Sequence, residues 1–151
     1  MDLPDLYQDI ILEHARHPRN FHALAAPCQS AHGDNPFCGD NVTVYLRAGG
    51  GRIESISFQG RGCAISTASA SLMTEVMHGK TPQQAALLFA DFRAQITGGA
   101  PAPVPPELAG DADRLAPLTG VRAYPSRVKC ATLAWHALEA ALRGGGTVTT
   151  E

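Results

Sequence analysis

The stretch Asn41-Val42-Thr43-Val44-Tyr45-Leu46-Arg47-Ala48-Gly49-Gly50-Gly51-Arg52-Ile53-Glu54-Ser55-Ile56-Ser57-Phe58-Gln59-Gly60-Arg61-Gly62-Cys63 decides the fold. Val42, Val44 and Leu46 alternate with Thr43 and Tyr45, the period of two expected of a strand with one buried face. Gly49-Gly50-Gly51 reverses the chain, and Ile56 and Phe58 alternate on the way back, so the segment predicts a hairpin. Gly60-Arg61-Gly62 breaks the second strand. Beyond it Ile65, Ser69, Leu72, Met73 and Val76 mark one face of a helix that ends near Gly79, which leaves Cys63 at a strand-to-helix junction.

Upstream, Leu3, Leu6, Tyr7, Ile10, Ile11 and His14 recur at offsets of three and four and predict an amphipathic helix over Pro4 to Arg16, with Asp2 or Leu3 before its first turn. His17-Pro18 ends it. Arg19 to Gly39 is weakly periodic, with a turn signal at Asn35-Pro36, and the residues before Cys38 are expected to add a first strand. Downstream, Thr81-Pro82-Gln83-Gln84 is a helix start, with Ala85, Leu88, Phe89, Phe92 and Ile96 as its buried stripe and Gly98-Gly99 as its stop. Ala100 to Tyr124 is rich in proline and reads as a long surface loop, with at most a short helical turn around Asp113 to Leu118. In the last helix Cys130, Leu133, Ala134, Ala137, Leu138, Ala141 and Leu142 share a face, before Gly144-Gly145-Gly146. The expected fold is α+β: a small three-stranded antiparallel sheet with helices packed on one face and the cysteines clustered at one end of the sheet.

The chain has 151 residues, which predicts one domain over 1–151 with a Pro-rich insert at about 100–124. Its 12 basic and 14 acidic side chains give a net charge of -2, which excludes a strongly basic nucleic-acid footprint. No apolar run approaches the roughly 20 residues that span a bilayer, and Met1 to Asp5 lacks the basic and apolar regions of a secretory signal. The expectation is a soluble, cytoplasmic protein without nucleic-acid or membrane partners.

The four cysteines, Cys28, Cys38, Cys63 and Cys130, form no dense disulfide framework. Cys38-Gly39-Asp40 puts a thiol and a carboxylate two residues apart in a turn, where Gly39 can adopt angles that aim both at one point. Cys63 follows a glycine after a strand, and Cys130 opens a helix. Three sulfurs and one carboxylate oxygen match a closed tetrahedral zinc site, and soft thiolates also favour iron bound through sulfide. Spacing leaves alternatives open: Asp40 as a turn or capping residue, Cys130 as ordinary core. The six histidines show no metal-like pairing, no histidine adjoins a key cysteine, and Met73, Met77 and Trp135 read as packing residues.

Three motifs stand in order: Asn35-Pro36-Phe37-Cys38-Gly39-Asp40, Gly60-Arg61-Gly62-Cys63-Ala64-Ile65-Ser66, and Arg127-Val128-Lys129-Cys130-Ala131-Thr132-Leu133-Ala134-Trp135. Together with Leu6-Tyr7 through His17-Pro18-Arg19-Asn20, they resemble the iron–sulfur cluster assembly proteins of the SufU/IscU (NifU N-terminal) family over essentially the whole chain. Lys129, where IscU-type scaffolds usually carry histidine, and the Pro-rich insert resemble the SufU branch. Tyr124-Pro125-Ser126-Arg127-Val128-Lys129 departs from the Leu-Pro-Pro-Val-Lys chaperone motif of the scaffold members.

The resemblance implies zinc on Cys38, Asp40, Cys63 and Cys130, with Cys28 left over as a packing or surface thiol. It implies a SufS-type cysteine desulfurase as partner, whose histidine takes the zinc position vacated by Cys38, so that Cys38 attacks the partner's persulfide. The sulfur then passes to a downstream Fe–S scaffold or acceptor. A residue on a turn is the ligand whose departure disturbs least packing. Three thiolates and a carboxylate around Zn²⁺ sum to -2, and Arg127 and Lys129 are candidates for charge support. The rival reading is a scaffold building a transient Fe–S cluster on the same residues; a structural zinc module is the third. On the leading reading the protein is a sulfurtransferase-like partner of a cysteine desulfurase rather than a stand-alone enzyme.

Overall fold

A computed structural model describes residues 3–36, 38–100 and 102–149. Asp2, Phe37 and Pro101 lie outside the described residues, as do the side chains of Leu3 and Leu6. The sheet begins with β1 (Gln29–Asn35), β2 (Asp40–Gly49) and β3 (Arg52–Arg61), antiparallel in sequence. The expected hairpin is β2–β3: Val44 faces Phe58, Leu46 faces Ile56, and the chain turns at Gly50-Gly51, both with positive φ. Val42, Val44 and Leu46 are buried on the core face while their neighbours are half exposed.

β1 carries almost no apolar signal, since its inward residues are Ala31, Gly33 and Asn35. Their small size lets the last helix, α5 (Pro125–Leu142), pack closely on β1 and β2. A strand the sequence reading did not anticipate, β4 (Gly146–Thr149), joins the free edge of β1 in parallel, so the full order is β3-β2-β1-β4. The three Gly144–Gly146 residues that stop α5 thus also return the chain to the sheet.

Helix α1 (Leu3–Arg16) packs on α2 (Ala64–Met77), which in turn packs on α5 and β3. α2 is an Ala/Ser helix buried on most sides, and the hydroxyls of Ser69, Ser71 and Thr74 are spent on neighbours. Ser69 Oγ donates to the Ala131 carbonyl and accepts the Trp135 indole N–H at 3.0 Å. Ser71 Oγ accepts the Arg19 amide at 2.8 Å and lies 2.7 Å from His14 Nδ1. Met73, Met77 and Trp135 are fully buried, the packing role read from sequence. Helix α3 (Pro82–Thr97) starts with the predicted reciprocal cap: Gln84 N–H donates to Thr81 Oγ1 and Thr81 N–H to Gln84 Oε1.

The segment expected to be a surface loop is instead built into the core. It forms a 3₁₀ turn at Pro106–Leu108, helix α4 (Ala109–Arg114) and a 3₁₀ stretch over Ala116–Ala123. Leu108, Leu115, Leu118 and Val121 are buried, spaced by seven, three and three residues, and the 3₁₀ stretch packs on α1, α3 and α5. Prolines at the starts of the 3₁₀ elements use the position where a missing N–H costs nothing. The frequent prolines hid a helical apolar spacing.

Candidate metal centre

The β1–β2 turn is closed by one carbonyl: Asn35 O accepts the Cys38 amide at 3.3 Å and the Gly39 amide at 2.9 Å. Gly39 takes φ +77, a conformation that residues with a Cβ rarely adopt, and the turn delivers Asp40 as the first, buried residue of β2. Asp40 is held by a different segment. Its Oδ1 accepts the Cys63 amide at 3.1 Å, and its Oδ2 lies 3.8 Å from Cys63 Sγ. Gly62 permits that approach: a Cβ there would stand 2.9 Å from Ser66 Cβ and 3.3 Å from Asp40 Cγ.

Cys63 is the N-cap of α2, and its Sγ accepts the Ser66 amide at 3.4 Å. Cys130, six residues into α5, is 2% exposed, and its Sγ lies 3.9 Å from that of the exposed Cys38, 92 residues away in sequence. Cys38, Asp40 and Cys130 thus present ligand atoms within 4.8 Å of one another. Cys63 stands outside that mutual group, in contact with Asp40 and near enough to Cys130 to act on its thiol. Sulfurs about 2.3 Å from a tetrahedral zinc are separated by about 3.8 Å, close to the Cys38–Cys130 spacing.

The electrostatics point the same way. Burial, then the neighbouring Cys63 and Asp40, push the Cys130 thiol well above the usual range. Buried acids such as Asp40 and Cys130, set this close together, are stable as anions only with added positive charge. Arg127 supplies part of it: its exposed guanidinium is held more firmly protonated by Cys63 first and by Cys130 next. A divalent cation would supply most of the rest, so soft, closely spaced donors and the local charge deficit both fit a metal. Lys129, half buried in the preceding turn of α5, is adjacent to Cys130 in sequence.

Cys28 lies at the opposite end of the sheet. It precedes Gln29, which pairs with Leu46, whereas the cluster sits where Asn35 pairs with Asp40; its thiol donates to the Leu24 carbonyl at 3.7 Å. Sequence reasoning missed the Asn35 carbonyl and the spacing role of Gly62. The Asn35-Pro36 turn signal pointed at the first; for the second only the paired glycines around Arg61 were visible.

The model of the NifU-like N-terminal domain matches residues 6–144. The chain belongs to that family. The iron–sulfur cluster assembly scaffold protein IscU of Streptococcus pyogenes is 38% identical over 141 residues, covering 93% of this chain and 85% of that one. The zinc-dependent sulfurtransferase SufU of Bacillus subtilis is 35% identical, covering 91% and 90%. A crystal structure of Fervidobacterium islandicum SufU, a candidate assembly scaffold for the SUF system, superposes with a TM-score of 0.80 at 30% identity, covering 93% of this chain and 99% of that one. This NifU-like chain is therefore of the iron–sulfur cluster assembly scaffold/SufU family and shares its fold. Among the described residues no helix is long and apolar enough to cross a membrane.

Proposed function

We propose that this protein, as one SufU-like domain over residues 1–151, is a zinc-bound cytoplasmic sulfur acceptor. It takes persulfide sulfur from a SufS-type cysteine desulfurase by ligand exchange at Cys38 and passes it to a downstream scaffold or acceptor. Cys38, Asp40, Cys63 and Cys130 would hold the zinc, which keeps sulfur deprotonated near neutral pH while restraining its reactivity. The observation that carries the reading is the contrast within the cluster. Cys38 is exposed on a turn, whereas Cys130 is buried in α5 and Cys63 is fixed as a helix cap.

In the transfer, the Cys38 thiolate attacks the outer sulfur of the partner's persulfide. A sulfur–sulfur bond forms on Cys38, the partner's breaks, and the partner's cysteine leaves as thiolate, with no net oxidation. Asp40 and Cys130 keep their positions because their anchors, the Cys63 amide and the α5 backbone, are untouched by movement of the turn. Arg127 faces Cys63 and Cys130 and offsets their charge.

Desulfurase turnover measured with wild type and with Cys38→Ser, alongside zinc content, tests this. Wild type should raise turnover and Cys38→Ser should not; undiminished stimulation by the variant removes Cys38 as acceptor. The same soft donors also suit a transient Fe–S cluster as cargo, and the name of the Streptococcus pyogenes relative favours that second reading. Protein purified brown and poor in zinc, with visible absorption, would establish it.

A further inference from the structure

A groove of about 1200 Å³ opens beside the cysteine cluster. Tyr7 and Ile11 of α1 line it, as do Val121 and Arg122 of the 3₁₀ stretch, and it reaches Cys63 and Arg127. The chain as a whole is slightly acidic, yet the described lining residues include two guanidinium groups, those of Arg122 and Arg127, and no carboxylate. Helices α2 and α5 both begin on this groove, and neither has an acidic residue in its first turn. Tyr124 gives α5 no side-chain cap, so the partial positive charge of that terminus adds to the guanidiniums. Tyr124 itself is 65% exposed at the groove, and tyrosine beside arginine is the composition typical of interface centres. An open groove larger than the usual small-molecule pocket of about 300–1,000 Å³ suits an extended chain better than a metabolite.

We propose that this groove docks an extended acidic–apolar peptide segment of the protein that exchanges sulfur with the cysteine cluster. Its carboxylates meet Arg122 and Arg127, and its apolar side chains lie between α1 and residues 116–123. The inference rests on the sulfur-transfer reading and adds how the partner is recognised. A bidentate guanidinium–carboxylate pair at Arg122 would fix the segment's register beside Cys63, leaving Cys38 free to move.

The test uses the full zinc-loaded chain, ¹⁵N-labelled, and two capped decapeptides, one alternating leucine with glutamate and the other leucine with lysine. The acidic peptide should shift the resonances of Tyr7, Val121 and Tyr124, more weakly at high salt, and the basic peptide should not. Arg122→Gln should weaken that binding and Arg122→Glu should weaken it further, by about tenfold or more, with zinc content unchanged. With a SufS-type desulfurase, Arg122→Glu should raise the concentration needed for half-maximal stimulation. Equal binding of both peptides, shifts confined to another face, or an unchanged half-saturation point overturns the groove. The two readings fail separately. Loss of stimulation by Cys38→Ser with no effect of Arg122→Glu leaves sulfur transfer standing and removes the groove, whereas the opposite pattern removes Cys38 as acceptor.

Discussion

Cys63 has two jobs that a single substitution can separate. Its sulfur caps α2 by accepting the Ser66 amide, and it stands 3.8 Å from the Asp40 carboxylate beside the candidate metal donors. Serine is among the best N-caps, and alanine supplies no acceptor, the difference being typically about 1 kcal/mol. In urea unfolding with a chelator present, Cys63→Ser should keep nearly wild-type stability and Cys63→Ala should lose about 1 kcal/mol. Without chelator both should lose bound zinc. If Cys63→Ser retained full zinc, the sulfur would be only a cap. The cysteines and Asp40 were legible as candidate donors because thiols next to glycines at element ends stand out in a sequence. That Asp40 also receives the Cys63 amide was not legible, since that bond joins residues 23 apart through the antiparallel pairing of β2 with β3.

Among the elements, the hairpin, α1, α3 and α5 follow from local pattern, because each buries a face whose period is its own. The 100–124 segment defeated that reading: its prolines mimic a loop, while its leucines satisfy the core. Leu118 is fully buried in a 3₁₀ stretch that packs on α1, α3 and α5, so Leu118→Ala should cost about 2–5 kcal/mol in chemical denaturation, as for other large-to-small core changes. A cost below about 0.5 kcal/mol, typical of surface positions, would return the segment to the surface. Lys80 pins it further through an ion pair with Asp111 at 3.1 Å. The edge strand β4 was illegible for a different reason: with four residues, its pairing is set by the exposed edge of β1, not by its own composition.

At the scale of the whole molecule, stability should fall on mild acidification. His14 is buried between α1 and α2, against Ser71, with Arg19, Glu13, Glu75 and Arg114 around it; His136 lies on Phe89 beside Glu139, with Arg93 near. Burial lowers both pKa values below 6.5, and Arg19 for His14 and Arg93 for His136 add to it. The unfolded chain then binds these protons more tightly than the fold does. Their neutral forms are therefore fully compatible with folding above about pH 6.5, and stability is lost as pH falls below that toward the lowered values. Urea midpoints at about pH 7.5 and pH 5.5 should show the drop, and a His14→Gln/His136→Gln variant should show less of it. An equal or larger drop in the variant would assign the effect to other groups.

The sequence by itself determined the α+β class, the order of the main elements, the kinship and the candidate donors, because periodicity, caps and motifs are carried by chain neighbours. Only the tertiary structure decided that the Pro-rich segment is core, that a fourth strand closes the sheet edge, and which donors meet. It brought Cys38 and Cys130 to 3.9 Å while leaving Cys63 attached through Asp40. The physical reason is that such separations are sums over packing. How closely α5 rides on Ala31 and Gly33 and how tightly Gly62 lets α2 approach Asp40 fix where each sulfur falls, and no local pattern encodes that sum.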